Sequence, residues 1–161
     1  MIAKSWLCRW WQWHLGGCVA IVGTLSFGVS ESVSAQIVPD NTLGTEGSTV
    51  TPNVNINGIQ GDQIKGGAIR GANLFHSFAQ FNIGEGRGAY FTPPIGILNI
   101  LSRVTGANRS DISGRLGVLG NANLFLINPN GIVFGQNASL DLQGSFVQGL
   151  HDFAENKPEL A

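Results

Sequence analysis

Residues 123–146 read NLFLINPNGIVFGQNASLDLQGSF (Asn123–Phe146), and their reading decides the rest. At the centre stands Asn128-Pro129-Asn130-Gly131. Pro129 presets φ for the second position of a turn, Asn130 tolerates the bridge or left-handed region, and Gly131 accepts positive φ. Asn128 has the side chain to close an Asx turn. Leu124-Phe125-Leu126-Ile127 precedes the turn and Ile132-Val133-Phe134 follows it, both reading as strands buried on two faces. Further on, Ala138, Leu140 and Leu142 alternate with Ser139, Asp141 and Gln143, the pattern of a half-buried strand. On spacing alone the stretch is two strands joined by a tight turn, a unit common to many β proteins.

The surrounding chain has the same character. Its 161 residues make one domain at most, with 23 glycines and only 12% charged residues. That composition suits many short strands and turns and lacks the Ala, Glu, Lys and Leu runs of long helices. A net charge of −1 excludes an electrostatic nucleic-acid footprint, so no nucleic acid is expected as partner.

Residues 1–35 read as a helical signal peptide outside the fold. Lys4 and Arg9 form a positive n-region, residues 15–29 an apolar h-region, and Val33-Ser34-Ala35 offers small residues for cleavage between Ala35 and Gln36. The apolar run is shorter than the roughly 20 residues a membrane span needs. Leu15-Gly16-Gly17-Cys18 resembles a lipobox, but the apolar run continues past Cys18, which argues against a lipid anchor. Cys8 and Cys18 both lie in this segment, so cleavage would leave a chain without disulfide or thiol chemistry.

After the signal, residues 36–52 are rich in Thr, Ser, Gly and Pro and read as a loose leader or a capping edge strand. Residues 54–58 form a short strand ended by Gly58, and residues 61–71 tight turns between short strands. Leu74, Phe78 and Phe81 would fit a helical face, but the β-rich flanks favour a strand over residues 73–82. Gly84-Glu85-Gly86-Arg87-Gly88 lacks the Lys-Ser/Thr ending of a phosphate loop and reads as a turn before the strand Ala89-Tyr90-Phe91. Residues 95–104 read as another apolar strand, 107–114 as a polar turn, and 116–119 as a short strand. Strands thus recur every roughly 8 to 12 residues, which fits a sandwich, a barrel or a solenoid. Ala-Asn-Leu-Phe occurs at 72–75 and again at 122–125, a spacing of about two 25-residue solenoid coils, though a tetrapeptide repeats by chance almost as readily.

INPNGIVFG followed by ASLDLQGSFV resembles the N-terminal secretion domain of the filamentous haemagglutinin family, the exoproteins of two-partner secretion. The family's NPNGI motif matches Asn128, Pro129, Asn130, Gly131 and Ile132 without a substitution. The resemblance runs upstream through NLFHSF (73–78), Phe81-Asn82, Ala89-Tyr90-Phe91 and ILSRVTG (100–106). It implies an all-β fold, a right-handed parallel β-helix with capping strands over residues 36–149. It also implies a secretion-targeting role: export through the inner membrane, recognition by an outer-membrane β-barrel transporter with periplasmic domains, and β-helix nucleation outside the cell. The product would be secreted or held at the cell surface. The turn at 128–131 would serve either as a recognised element or as the folding corner. The NPNL motif of some members is absent; Thr92-Pro93-Pro94-Ile95 is the nearest Pro-containing turn, which leaves the transporter subclass open. Residues 150–161 lose the strand pattern, read as an irregular polar tail, and depart from the family, as in a truncated member.

Two other functions fit such a scaffold: a surface adhesin or carbohydrate-binding module meeting a host-cell or glycan surface, and a polysaccharide-acting β-helical enzyme. The enzyme reading needs clustered carboxylates or a metal. Asp40, Asp62, Asp111 and Asp141 are scattered singly, and only folding that gathered Asp40-Asn41 with Asp111 would build a Ca²⁺ site. His76, between Phe75 and Ser77, reads as a packed, hydrogen-bonded core histidine, and His151 as an exposed tail residue. No catalytic residue, metal or cofactor is therefore expected, and the sequons at Asn108 and Asn137 read as chance matches in a bacterial protein.

Overall fold

The structure is a computed structural model, and it describes residues 36–149. The segments read as signal peptide and polar tail, with Ala35 of the cleavage site, lie outside the described residues.

The described chain is a right-handed parallel β-helix of about four turns. The first coil runs through β5 (Asn73–Phe81), an isolated bridge residue Ile83, and β6 (Gly88–Phe91). The next contains β7 (Asn99–Val104), β8 (Ser110–Ile112) and β9 (Arg115–Val118). Then come β10 (Asn123–Ile127), β11 (Ile132–Phe134), β12 (Ser139–Asp141) and finally β13 (Phe146–Gly149). One sheet stacks β5, β7, β10 and β13 in parallel; a second stacks β6, β9 and β12; the third face is β8 against β11.

The amino-terminal end is closed by antiparallel strands. β1 (Ile37–Pro39) and β4 (Ala68–Arg70) share the outer edge of β5, while β2 (Ser48–Ile56) pairs with β3 (Ile59–Gly66), which in turn lies parallel to β6. The residues read as a leader or an edge strand therefore supply capping strands. They satisfy backbone groups that an open coil would leave unpaired. Asn57 (φ 52) and Gly58 (φ 80) make the two-residue hairpin turn between β2 and β3, the positive-φ pair that Asn-Gly adopts readily.

Parallel pairing puts equivalent residues of successive coils in one row. Asn73, Asn99 and Asn123 stack in register, with Asn99 Nδ2 donating to Asn73 Oδ1 (2.9 Å) and Asn123 Nδ2 to Asn99 Oδ1 (3.0 Å). The Ser145 amide continues the row onto Asn123 Oδ1 (2.9 Å). The steps are 26, 24 and 22 residues, so the recurrence of Ala-Asn-Leu-Phe does mark two coils. One place inward, Leu74, Ile100 and Leu124 are fully buried and Phe146 packs against them. Each such side chain contributes about 1.5–3 kcal/mol by burial. Phe78, Phe81 and Phe91 fill the first coil, their ring centroids 5.2–6.4 Å apart.

Four sequence expectations change. Residues 61–71, read as tight turns between short strands, hold most of β3 and all of β4. The strand expected from residue 95 begins only at Asn99, because Pro93 and Pro94 cannot donate to a ladder; Ile95 and Leu98 are exposed in the connecting loop. The polar turn over 107–114 contains β8, whose Ser110 points inward and is buried. The strand Ile132–Phe134 is not buried on both faces, since Val133 and Phe134 are 44% and 37% exposed, and in the strand read as half-buried the apolar Leu140 is itself 47% exposed. Phe134 and Leu140 align with the buried Ile112 and Leu116, so they face the solenoid axis, but no described coil follows to cover them.

Replacing Asn99 by Ala removes a member bonded on both sides. Urea denaturation should show a loss of about 2 kcal/mol, whereas an exposed substitution such as Gln143→Ala should change stability by less than about 0.5 kcal/mol.

Candidate functional site

The turn at 128–131 carries the densest set of local side-chain bonds on the third face. The Gly131 amide donates to the Asn128 carbonyl (3.0 Å), closing the turn, and Gly131 takes φ 106. The Asn130 amide donates to Asn128 Oδ1 (2.9 Å), the Asx turn that the residue order implies. Asn130 keeps negative φ, so of the two regions open to it the structure does not use the left-handed one.

The Asn128 side chain is completely buried. Its Nδ2 donates to the Asn108 carbonyl (3.1 Å) and to Ser110 Oγ (3.0 Å) in the preceding coil. Its backbone amide donates to the Gly149 carbonyl (3.0 Å) of the following coil. Asn128 therefore ties three successive coils. Pro129 and Asn130 face solvent, although Asn130 Nδ2 still reaches the Gly106 carbonyl (2.8 Å). Ile132 packs against the core. The partners Gly106, Asn108 and Ser110 escape a sequence reading, since nothing local to them announces the coil above.

His76 is buried, hydrogen-bonded through Nδ1 to Ser48 Oγ (2.9 Å), and its ring lies 5.1 Å from that of Phe91. That is the packed core histidine expected. Burial pushes its pKa down to about 4. Burial opposes ionisation of Asp40, but hydrogen bonds from the Thr105, Thr42 and Ser77 hydroxyls and the Thr42 amide outweigh it and hold the carboxyl below its ordinary value. Asp40 so clamps β1 to β5 and to the end of β7. Asp62 pairs with Arg87 (3.0 Å) and Asp111 with Arg109 (2.9 Å), while Asp141 accepts from the Tyr90 hydroxyl (2.8 Å). Among the described residues no three His, Cys, Asp or Glu side chains come together as metal ligands. Gln36, the expected first residue after cleavage, accepts at its carbonyl from the Asn82 amide (3.0 Å).

Fold and site together define a β-helical domain whose most elaborate turn is a cross-coil tie. A family model described as the TPS secretion domain matches residues 35–152, and the chain belongs to that family, the secretion domains of two-partner secretion exoproteins. It is 35% identical over 78 residues to the heme/hemopexin-binding protein of Haemophilus influenzae, a match covering 47% of this chain and 8% of that protein. The chain thus spans a small fraction of that relative's length. The family is not an enzyme family, its exoproteins are secreted across the outer membrane, and such a domain implies a cognate outer-membrane transporter.

Two measurements follow from this geometry. Asn128→Ala leaves several buried partners unmatched and should cost about 3 kcal/mol, whereas Asn130→Ala, at an exposed position, should cost about 1 kcal/mol or less; equilibrium unfolding of both variants gives the order. For His76, the unfolded chain binds a proton near pH 6.5 and the folded one only near pH 4. Stability is therefore full above pH 6.5 and falls as pH drops toward 4, by roughly 3 kcal/mol in all. His76→Gln should flatten that slope while leaving the separate loss at lower pH, where Asp40 protonates.

Proposed function

We propose that this chain targets an exoprotein to its dedicated outer-membrane transporter, with the Asn128–Ile132 turn as the folding corner of the secreted domain. The observation that carries the assignment of the turn is the burial of Asn128. A side chain consumed by partners in neighbouring coils acts in the folded domain, which supports the role of folding corner. In this reading residues 1–35 direct inner-membrane export and are removed between Ala35 and Gln36. The unfolded chain then meets the transporter's periplasmic domains, adding strand to exposed sheet edge. Outside, coils stack one on another, and each added coil buries its inner row against the last. The domain proper is residues 36–149. Binding to host cells or glycans, as an adhesin would show, is a role for the longer exoprotein.

The test is secretion. The full chain is expressed in a Gram-negative host with and without its transporter, and medium and periplasm are immunoblotted. Mature protein should enter the medium only with the transporter. Asn128→Ala should reduce secretion in step with its loss of stability, and Asn130→Ala should be secreted nearly normally. A block by Asn130→Ala without loss of stability would instead make the turn a recognised element. Retention in the periplasm under all conditions would overturn the targeting role.

A further inference from the structure

We propose that the tip of the β2–β3 hairpin is a clasp that locks the amino-terminal cap to the third coil and makes the described solenoid unfold as one unit. The claim concerns the domain's own cooperativity and stands apart from the transporter reading.

A solenoid is quasi-one-dimensional: each coil touches only its neighbours, and the end coil frays independently of the rest. Most cross-coil bonds here follow that rule, with separations of 22 to 26 residues. Asn57 breaks it. From the hairpin turn its Nδ2 donates to Asp141 Oδ2 (3.2 Å), 84 residues away on β12. In the second sheet the order is β12, β9, β6, β3, so the tip must curl over two intervening strands to reach that carboxylate.

What lies beneath the tip makes the reach possible. Tyr90 of β6 is fully buried and donates its hydroxyl to the same Asp141 oxygen (2.8 Å). Its ring occupies the space left by two glycines. A Cβ on Gly88 would meet ring carbon Cε2 at 2.9 Å, and one on Gly117 of β9 would meet Cε1 at 2.4 Å. The Ile59 methyl group lies 3.6 Å from the Gly88 position, on the same side as the ring. Hairpin tip, Tyr90 ring and Asp141 thus form one contact that draws on three coils.

Two consequences follow. The clasp closes only after β6, β9 and β12 have stacked, because contacts of long separation wait on the order of the chain between them. Once closed, it restrains β12, which pairs with β9 alone among the described strands and would otherwise fray. Burial first, and then the hydrogen bond to Asp141, hold the Tyr90 phenol above its ordinary pKa against the opposing effect of Arg115, so the state of the clasp is open to titration. Tyr90 is the single tyrosine of the chain, which makes the signal unambiguous.

The experiment is native-state hydrogen exchange on the full secreted chain, comparing wild type with Asn57→Ala and Asp141→Ala. The expected result is that amides of β12 exchange at least about tenfold faster in both variants while those of β5 and β7 stay within about twofold. The Tyr90 phenol should titrate nearer its ordinary value in Asp141→Ala, which removes the carboxylate that accepts its hydrogen bond. Equal acceleration of all strands, or none in β12, would overturn the clasp. Should Asp141→Ala fail to fold, the milder Asn57→Ala alone decides by the same two outcomes.

Discussion

Parallel in-register pairing is the constraint on which the rest of this molecule depends. It sets each residue of a coil directly against its counterpart in the coil below, so rows of matching chemistry hold the stack together. Asn73, Asn99 and Asn123 meet that demand with side-chain amides: Asn99 and Asn123 each donate to the coil before and accept from the coil after, and Asn73 accepts from Asn99. Leu74, Ile100 and Leu124 meet it with apolar volume one position further in. Coil length is free to vary, from 26 to 22 residues, because the differences fall in the connecting loops and not in the paired strands.

The same logic explains why polar residues stand inside. Ser110 and Asn128 are both fully buried, and each satisfies the other across one coil step. His76 is satisfied by Ser48 from the capping hairpin and stays neutral at ordinary pH. Ser102, which pairs with His76 on one side and Leu126 on the other, has a buried hydroxyl with no partner. Buried polar groups of this kind stabilise only when matched, a condition that Ser110, Asn128 and His76 meet and Ser102 does not.

The two ends of the described solenoid differ. Antiparallel strands cover the amino-terminal coil, and Arg70 pairs with Glu46 at its margin. At the other end, among the described residues, axis-facing Phe134 and Leu140 remain exposed, and β11, β12 and β13 each pair along one edge only.

By itself, the amino-acid sequence determined the strand-rich class, the NPNG turn with its Asx closure, and the burial of His76. Each rests on local chemistry: proline and glycine dihedrals, an asparagine side chain two residues from an amide, and an imidazole set among phenylalanines. The choice of a β-helix over a sandwich or barrel came from the NPNGI resemblance, because spacing alone fits all three. The asparagine row was half visible in the repeated Ala-Asn-Leu-Phe, and its middle member Asn99 was hidden inside an apolar run. Only the tertiary structure decided which strands are covered, since Val133, Phe134 and Leu140 look buried until the stack above them is counted. It also decided that Asn128 binds Asn108 and Ser110, and that Asn57 meets Tyr90 at Asp141. Those partners lie 18 to 84 residues away in sequence, and proximity at that separation is set by coil stacking, a property of the whole chain rather than of any stretch of it.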